Sequence, residues 1–184
     1  VIYTSFLNTK GSRFVNEFSL KSYKTVFNKL GSAITNTYTY GLIAIAIIVI
    51  LGMFIAYIST RRKNVLTSVI DTITMFPYII PGSVLGITLL LAFNKKPLAL
   101  SGTFVIMIIA YVVRRLPYTL RSSAAILYQI SPSMEEASIS LGYSPVKTFF
   151  KVTAIMMLPG VFAGAILSWI TTINELSSSV ILYT

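Results

Sequence analysis

The sequence predicts an all-α membrane protein, from its apolar composition and from the long intervals between its charged residues. Hydrophobic residues make up 55% of the 184 residues and charged residues only 11%, less than half of the ordinary share of about 25%. Such a chain has too few charged side chains to cover a water-soluble globule, and it is too apolar to be disordered. It contains no Cys and no His, which excludes disulfides, thiolate chemistry and imidazole ligands.

Four intervals without a charged residue define the predicted spanning helices. A helix needs about 20 apolar residues to cross the hydrocarbon core of a bilayer. We therefore expect about four spans, at residues 41–58, 75–93, 98–113 and 152–173. The alternative is four buried helices of a large soluble core, but little amphipathic sequence is present to cover them.

The two ends of the sequence differ from its middle. Residues 1–36 form a mostly polar flank, and residues 37–184 form the predicted membrane part. The first 30 residues hold no apolar segment of the kind found in secretory signal peptides. Because the chain starts on Val and a new apolar run begins near its end, we expect it to be part of a longer protein.

The net charge of +10 fits either a nucleic-acid-binding protein or a membrane protein with basic loops. The basic residues are spread over several loops without an aromatic platform for bases, which favours contact with the lipid bilayer and no nucleic acid partner. The short loops place eight basic residues on one side, in the segments 61–63, 114–121 and 147–151, and two on the other, Lys95 and Lys96. By the positive-inside rule, the Arg61 side is predicted to be cytoplasmic.

Two predicted spans contain residues that a passive anchor does not need. Candidate hinge or pathway positions are Pro77, Pro81 and Gly82 in the second span and Pro159 and Gly160 in the fourth. Proline interrupts helical hydrogen bonding, and broken helices recur in transporters. Ordinary close packing of helices at small residues explains the same residues equally well. Charged residues are expected only at the span edges, with Glu175 as a further pathway candidate, so no buried proton or sodium relay is predicted.

The segment 114–151 is predicted to be a polar loop that contains two short helices. Either Ser133 caps the first helix in a box with Glu136, or Ser131 caps it and Pro132 takes the first helical position. Gly142 is expected to end this helix, and Ser144 with Pro145 to start the next. Glu135 and Glu136 then either only stabilise the helix N-terminus or belong to a surface that docks a partner.

The spacing within this loop resembles the EAA loop of ABC importer permeases. That family has Glu-Ala-Ala, three residues, Gly, nine residues and Ile-x-Leu-Pro; here Glu136-Ala137-Ser138 is followed by Gly142 and, further on, by Val152. Ala154-Ile155 stand where the family has Leu-Pro, which is a departure. The proline-rich segment 76–86 is similar to a core helix of these permeases. The segment 175–183 is similar to the ferric-iron branch, which also includes transporters of 2-aminoethylphosphonate, thiamine and polyamines.

The resemblance implies a type I ABC importer core, with about four of its five core spans present, in the bacterial inner membrane. It implies a periplasmic position for residues 1–36 and a cytoplasmic loop at 114–151. The residues expected to couple to a separate ATPase are Glu135, Glu136, Ala137, Ser138 and Gly142. The other implied partners are a second permease core, in the same or a tandem chain, and a periplasmic substrate-binding protein.

The same resemblance implies a subunit that is not an enzyme, with no catalytic residue, no metal site and no cofactor of its own. The chain contains no G-x-x-x-x-G-K-[ST] phosphate loop, so ATP and Mg²⁺ are expected on the partner ATPase. Ferric iron is the favoured solute, and the other solutes of that branch stay open. Two alternative functions are a membrane scaffold without transport and an ion-coupled secondary carrier. Co-purification of an ATPase excludes the scaffold, and transport that survives ATP depletion identifies the carrier.

Overall fold

A computed structural model describes residues 2–11 and 13–183 of the chain. The chain divides into two units, Val1–Thr39 and Tyr40–Thr184. The long helix α2 (Lys21–Arg61) contributes its first part to one unit and its second part to the other. The division falls three residues after the predicted boundary at residue 36, and each unit is described by itself below.

The first unit contains a β-hairpin within the flank that its composition marks only as polar. A short helix α1 (Ile2–Ser5) precedes the antiparallel strands β1 (Leu7–Lys10) and β2 (Arg13–Phe18). The pairing of Asn8 with Val15 fixes the register, and a bulge follows Leu7. The ring of Phe6 stacks on Phe18 and lies 5.2 Å from the ring of Tyr23, centroid to centroid. This aromatic group joins the hairpin to the start of α2.

The second unit is helical throughout its regular structure, as the fold class predicts. After α2 come α3 (Val65–Ile79), α4 (Gly82–Ala92), α5 (Phe104–Gln129), α6 (Ser133–Ser140), α7 (Pro145–Thr148), a π-helical turn (Phe149–Thr153), α8 (Ala154–Ile173) and α9 (Ser179–Leu182). Asn64 starts α3 with a capping box, because its side chain accepts from the Thr67 N–H while the Thr67 hydroxyl accepts from the Asn64 N–H.

Two helices of the described residues are long and apolar enough to cross a membrane. They are Lys21–Arg61 and Pro145–Ile173, and the bent pair α3 and α4 forms a third if it counts as one span. The structure therefore contains two or three such segments, where the sequence predicts about four. The predicted span at residues 98–113 is not among them. Its residues 104–113 form only the first part of α5, and this helix continues through three arginines.

The polar loop is also shorter than the predicted segment 114–151. Residues 114–129 continue α5, and many of their side chains are buried, among them Leu116, Leu120 and Leu127. These leucines recur at helical spacing, so α5 has an apolar face for its whole length despite the charges between them. The exposed connection begins only at residue 131.

The break in the second predicted span lies at Ile80 and Pro81. Both residues are extended, with ψ values of 131° and 138°, and the axes of α3 and α4 differ by 111°. Proline disfavours the helical conformation of the residue before it, which explains why α3 ends there. Pro77 instead remains inside α3. Pro159 and Gly160 likewise lie inside the continuous helix α8, so no break forms at either of these two sites.

Helices α5 and α8 pack at very close range through the small residues of α8. A β-carbon added at Gly164 would lie 2.6 Å from the Cα of Thr119, and one at Gly160 would lie 2.8 Å from the carbonyl oxygen of Ser122. The Ser122 hydroxyl donates to the Gly160 carbonyl at 2.6 Å. Gly160 therefore takes part in the close packing of the two helices. Around this crossing, α2, α5 and α8 share a buried cluster of Ala56, Ala124, Leu127, Ile130, Met157 and Val161.

Candidate functional site

The helix α6 is held against the end of α2 by one carboxylate. The Arg61 Nε lies 2.8 Å from Oε1 of Glu135, and the Tyr57 hydroxyl donates to Oε2 at 3.0 Å. The Arg61 Nη2 also donates to the carbonyl oxygen of Ile130 at 2.8 Å. Both charged side chains are 14% exposed, so water screens this pair weakly. These four residues, called the Arg61–Glu135 latch below, fix the first turn of α6 on the last turns of α2.

The start of α6 differs from both capping schemes that the sequence offers. The helix begins at Ser133, so Ser133 is its first residue and not its cap, and Pro132 occupies the cap position without a side-chain cap. The Ser131 hydroxyl accepts from the Ser133 N–H at 3.4 Å, a long contact that is closer to the second scheme. Glu135 and Glu136 lie in the first turn, as predicted, where negative charge stabilises the positive end of the helix dipole.

The end of α6 follows the sequence prediction. Gly142 has a φ of +91° and donates its N–H to the carbonyl of Ile139 at 2.9 Å. Positive φ is unfavourable for residues with a β-carbon, so glycine is required at this turn. Ser144 then caps α7 by accepting from the Lys147 N–H at 3.3 Å, with Pro145 in the first turn.

The predicted coupling residues separate into an inner and an outer set. Glu135 and Ser138 point inward, and the buried Ser138 hydroxyl lies 3.0 Å from the Thr148 hydroxyl, which joins α6 to α7. Glu136, Ala137 and Gly142 are exposed. Large apolar side chains surround this outer set, namely Met134, Ile139, Leu141, Tyr143 and Val146, and Leu141 is 81% exposed. We call the exposed part of residues 134–146 the α6 surface.

An aromatic cluster lies where α2 packs against the π-helical turn. The ring of Phe149 lies 4.7 Å from that of Tyr57 and 5.1 Å from that of Phe54, and Phe150 packs on both phenylalanines. Phe149 is buried in the π-helical turn that leads into α8. The cluster thus joins α2 to the π-helical turn that leads into α8.

The second cluster of interest consists of charges that the sequence places at span edges and that the structure largely buries. The Arg114 Nε lies 3.0 Å from Oε2 of Glu175, and Arg115 contacts the same oxygen. Oε1 of Glu175 accepts from the N–H and the hydroxyl of Ser178 at 3.1 and 3.2 Å. The Glu175 side chain is only 3% exposed. This Arg114–Arg115–Glu175 cluster joins α5 to the segment between α8 and α9.

Gly82 and Glu175 are the two pathway candidates that the structure brings to one place. Gly82 opens α4 directly against the Arg114 guanidinium, and a β-carbon there would lie 2.8 Å from the Cβ of Ser177. The Arg114 Nη1 lies 3.5 Å from the carbonyl oxygen of Ile80, at the bend between α3 and α4. Pro77, Pro159 and Gly160 lie elsewhere, inside α3 and α8.

The uncharged interval 98–113 predicts a span that ends before Arg114 and Arg115, whereas α5 continues through both. The apolar positions that follow them at helical spacing were the available signal for a continuing helix. Within residues 2–11 and 13–183, no three acidic, His or Cys side chains gather in a group that could hold a metal ion.

Both clusters lie within a segment that matches a known protein family. Residues 48–183 match the family model described as binding-protein-dependent transport system inner membrane component. The chain belongs to this family. The resemblance drawn from Glu136, Gly142 and their flanks is thereby confirmed, and the family is one of transporter permeases in the inner membrane.

Individual relatives from this permease family carry different solute names. A ferric transport system permease of Actinobacillus pleuropneumoniae is 31% identical over 100% of this chain and 27% of its own length. An Fe(3+)-transport system permease of Haemophilus influenzae is 28% identical over 85% of this chain and 31% of its own. A homologue of a spermidine/putrescine transport permease from Mycoplasma genitalium is 28% identical over 83% of this chain and 56% of its own. The chain thus spans less than a third of these two ferric relatives.

Proposed function

We propose that this chain is the membrane permease part of an ATP-driven, binding-protein-dependent importer, and that it couples to a separate ATPase through the α6 surface. The observation that carries the proposal is the family match over residues 48–183, which includes the whole of α6. The geometry adds a reason for the coupling role. An exposed apolar surface, with Glu136 beside it, lies on a helix that is fixed to α2 by the Arg61–Glu135 latch and to α7 by the contact between the Ser138 and Thr148 hydroxyls.

In this mechanism the ATPase pushes on α6, and the two attached helices change their tilt. Exposed apolar surface rimmed by charge is typical of a protein-docking site. Because the latch is short and weakly screened, α6 and the end of α2 move together. ATP and Mg²⁺ are bound by the partner, and this chain contributes no catalytic residue. A periplasmic binding protein delivers the solute, and a second permease core completes the pathway.

The proposed position is a bacterial inner membrane, crossed several times, with the α6 surface in the cytoplasm. The basic group Arg61, Arg62 and Lys63 at the end of α2 supports this orientation, because cytoplasmic loops are enriched in Lys and Arg. The N-terminal unit would then lie in the periplasm.

The decisive experiment uses the intact transporter with Glu136→Ala and Gly142→Arg variants. Both should lower co-purification of the ATPase and solute-stimulated ATP hydrolysis, because one removes the exposed carboxylate and the other strains the turn that ends α6. Glu17→Ala is the matched control, since Glu17 is an exposed carboxylate of the N-terminal unit. Full ATPase assembly and transport with both α6 variants would exclude the coupling role, and assembly without any transport would favour a scaffold.

Ferric iron is the solute that we propose first. The support is that two relatives named for ferric transport match 100% and 85% of this chain. Polyamines stay open as an alternative, supported by a polyamine-named relative that is 28% identical over 83% of the chain, and so do 2-aminoethylphosphonate and thiamine. Uptake of radioactive Fe³⁺ against spermidine by proteoliposomes with the cognate binding protein separates these solutes, and iron-independent ATP hydrolysis would contradict the first choice.

A further inference from the structure

A polar cavity lies between the C-terminal end of α2, the start of α3 and the second half of α5. Its volume is about 350 Å³. Lys63, Asp71 and Arg121 are its charged lining residues, and hydroxyl groups of Ser59, Thr60, Ser68 and Thr72 complete the polar wall. The cavity is separate from the Arg61–Glu135 latch and from the Arg114–Arg115–Glu175 cluster.

The charges of this cavity favour an anion. Lys63 and Arg121 face a single carboxylate, that of Asp71, which lies 3.0 Å from the Arg121 Nη2. One positive charge is therefore in excess. The Lys63 ammonium lies 5.6 Å from the centre of the Tyr128 ring, which keeps it near the cavity. Thr67 and Ser68, in the first turn of α3, also line the cavity.

Two mainly apolar grooves share lining residues with the polar cavity. The first has a volume of about 450 Å³, shares Arg121 with the cavity and is lined by Met75, Tyr78, Pro117, Tyr118 and Leu167. The second has a volume of about 410 Å³, shares Ser68 and Thr72 with the cavity and is lined by Val65, Val69 and Ile73. A basic polar pocket that adjoins two apolar grooves matches the polarity of an amphiphile with two chains.

We propose that this cavity binds the phosphate group of an anionic phospholipid, with the acyl chains in the two grooves. The cavity lies at the end of α2 that carries Arg61, Arg62 and Lys63, beyond the apolar part of that helix, which is the depth of lipid headgroups. Basic pockets between spanning helices on the cytoplasmic side are suited to such headgroups. A soluble phosphate would make the same contacts in the cavity, but it has no acyl chains to fill the grooves. A lipid is therefore the favoured source of the phosphate group.

The test is native mass spectrometry of the intact transporter in detergent, with added phosphatidylglycerol or phosphatidylcholine of the same acyl chains. The wild type should retain phosphatidylglycerol preferentially. A Lys63→Gln and Arg121→Gln double variant should bind it about fivefold more weakly for each cation removed. The matched control is Lys95→Gln with Lys96→Gln, which removes two exposed cations from another loop and should change nothing. Val69→Trp, which fills a groove and keeps both cations, should also lower retention.

Three results would overturn the proposal. Equal retention of phosphatidylglycerol by the wild type and the double variant would show that the cavity does not hold the phosphate. Equal retention of the two lipids would show that charge is not recognised. Displacement of the lipid by millimolar inorganic phosphate or glycerol 3-phosphate would identify a soluble phosphate as the ligand. Reduced retention by Val69→Trp supports the lipid even if the double variant fails to assemble.

Discussion

Arg61 and Glu135 are 74 residues apart in the chain, and their side chains meet at 2.8 Å with only 14% of each exposed. The contact joins the last residue of α2 to the first turn of α6. An ion pair at this degree of burial is screened much less by water and salt than an exposed one. The pair therefore holds the C-terminal end of α2 against the start of α6.

We predict that Glu135→Ala destabilises the transporter by about 2 kcal/mol or more, because it leaves the Arg61 guanidinium without its charged partner. Asp71→Ala is the control. Its pair with Arg121 has 30% and 54% of the side chains exposed, and an exposed pair contributes about 1 kcal/mol at most. Thermal unfolding of both variants measures the difference. Equal losses would show that the latch is no stronger than a surface pair.

The close crossing of α5 and α8 gives opposite predictions for two glycines. Gly164→Ala places a methyl group 2.6 Å from the Cα of Thr119, so the helices must separate and stability should fall by about 1–3 kcal/mol. Gly31→Ala, in α2, meets nothing within 4 Å and should gain up to about 1 kcal/mol from helix propensity. Unfolding temperatures of the two variants check the signs. A stabilising Gly164→Ala would contradict the packing described here.

Glu175 forms ion pairs with two arginines. Removal of its charge should therefore lower the stability more than removal of one of the arginines. Glu175→Gln leaves Arg114 and Arg115 without a carboxylate in a buried site, with an expected loss of about 3–5 kcal/mol. Arg114→Gln leaves Arg115 and Glu175 as a neutral pair, and Arg114 is the more exposed of the arginines, at 19% against 11%. Expression level and thermal stability rank the two variants. The reverse order would show that Glu175 is not the centre of the cluster.

The proposed orientation predicts which engineered cysteines react from which side. This chain has no Cys, so Ser140→Cys and Lys96→Cys introduce defined thiols, with any cysteine elsewhere in the protein replaced. A membrane-impermeant maleimide added to right-side-out vesicles should label position 96 and spare position 140. Inverted vesicles should give the opposite pattern. Labelling of both positions from the outside would contradict a cytoplasmic α6.

The features predicted correctly from the sequence are those set by neighbouring residues. Pro81 ends α3 at Ile80, and Gly142 ends α6 with a positive φ, since both effects act within one or two residues. The family resemblance belongs to the same group, because it rests on a local spacing.

The features that were missed depend on residues far apart in the chain. Arg114 and Arg115 suggest the end of a span. Their place inside α5 is explained only by their contact with Glu175, about 60 residues later in the chain. The Arg61–Glu135 latch is equally distant in sequence. Pro159 and Gly160 predict a break, but α8 is continuous through both residues, and Gly160 packs on α5.

Crosslinking from the α6 surface to the ATPase tests directly whether the permease couples to the ATPase through α6. Leu141 is 81% exposed, and Leu141→Cys with a short bifunctional reagent should join the permease to the ATPase subunit, with a yield that changes on ATP binding. Lys96→Cys, in the loop between α4 and α5, should give no such product. A transport-competent Leu141→Cys permease that never crosslinks to the ATPase, in any nucleotide state, would contradict coupling through α6.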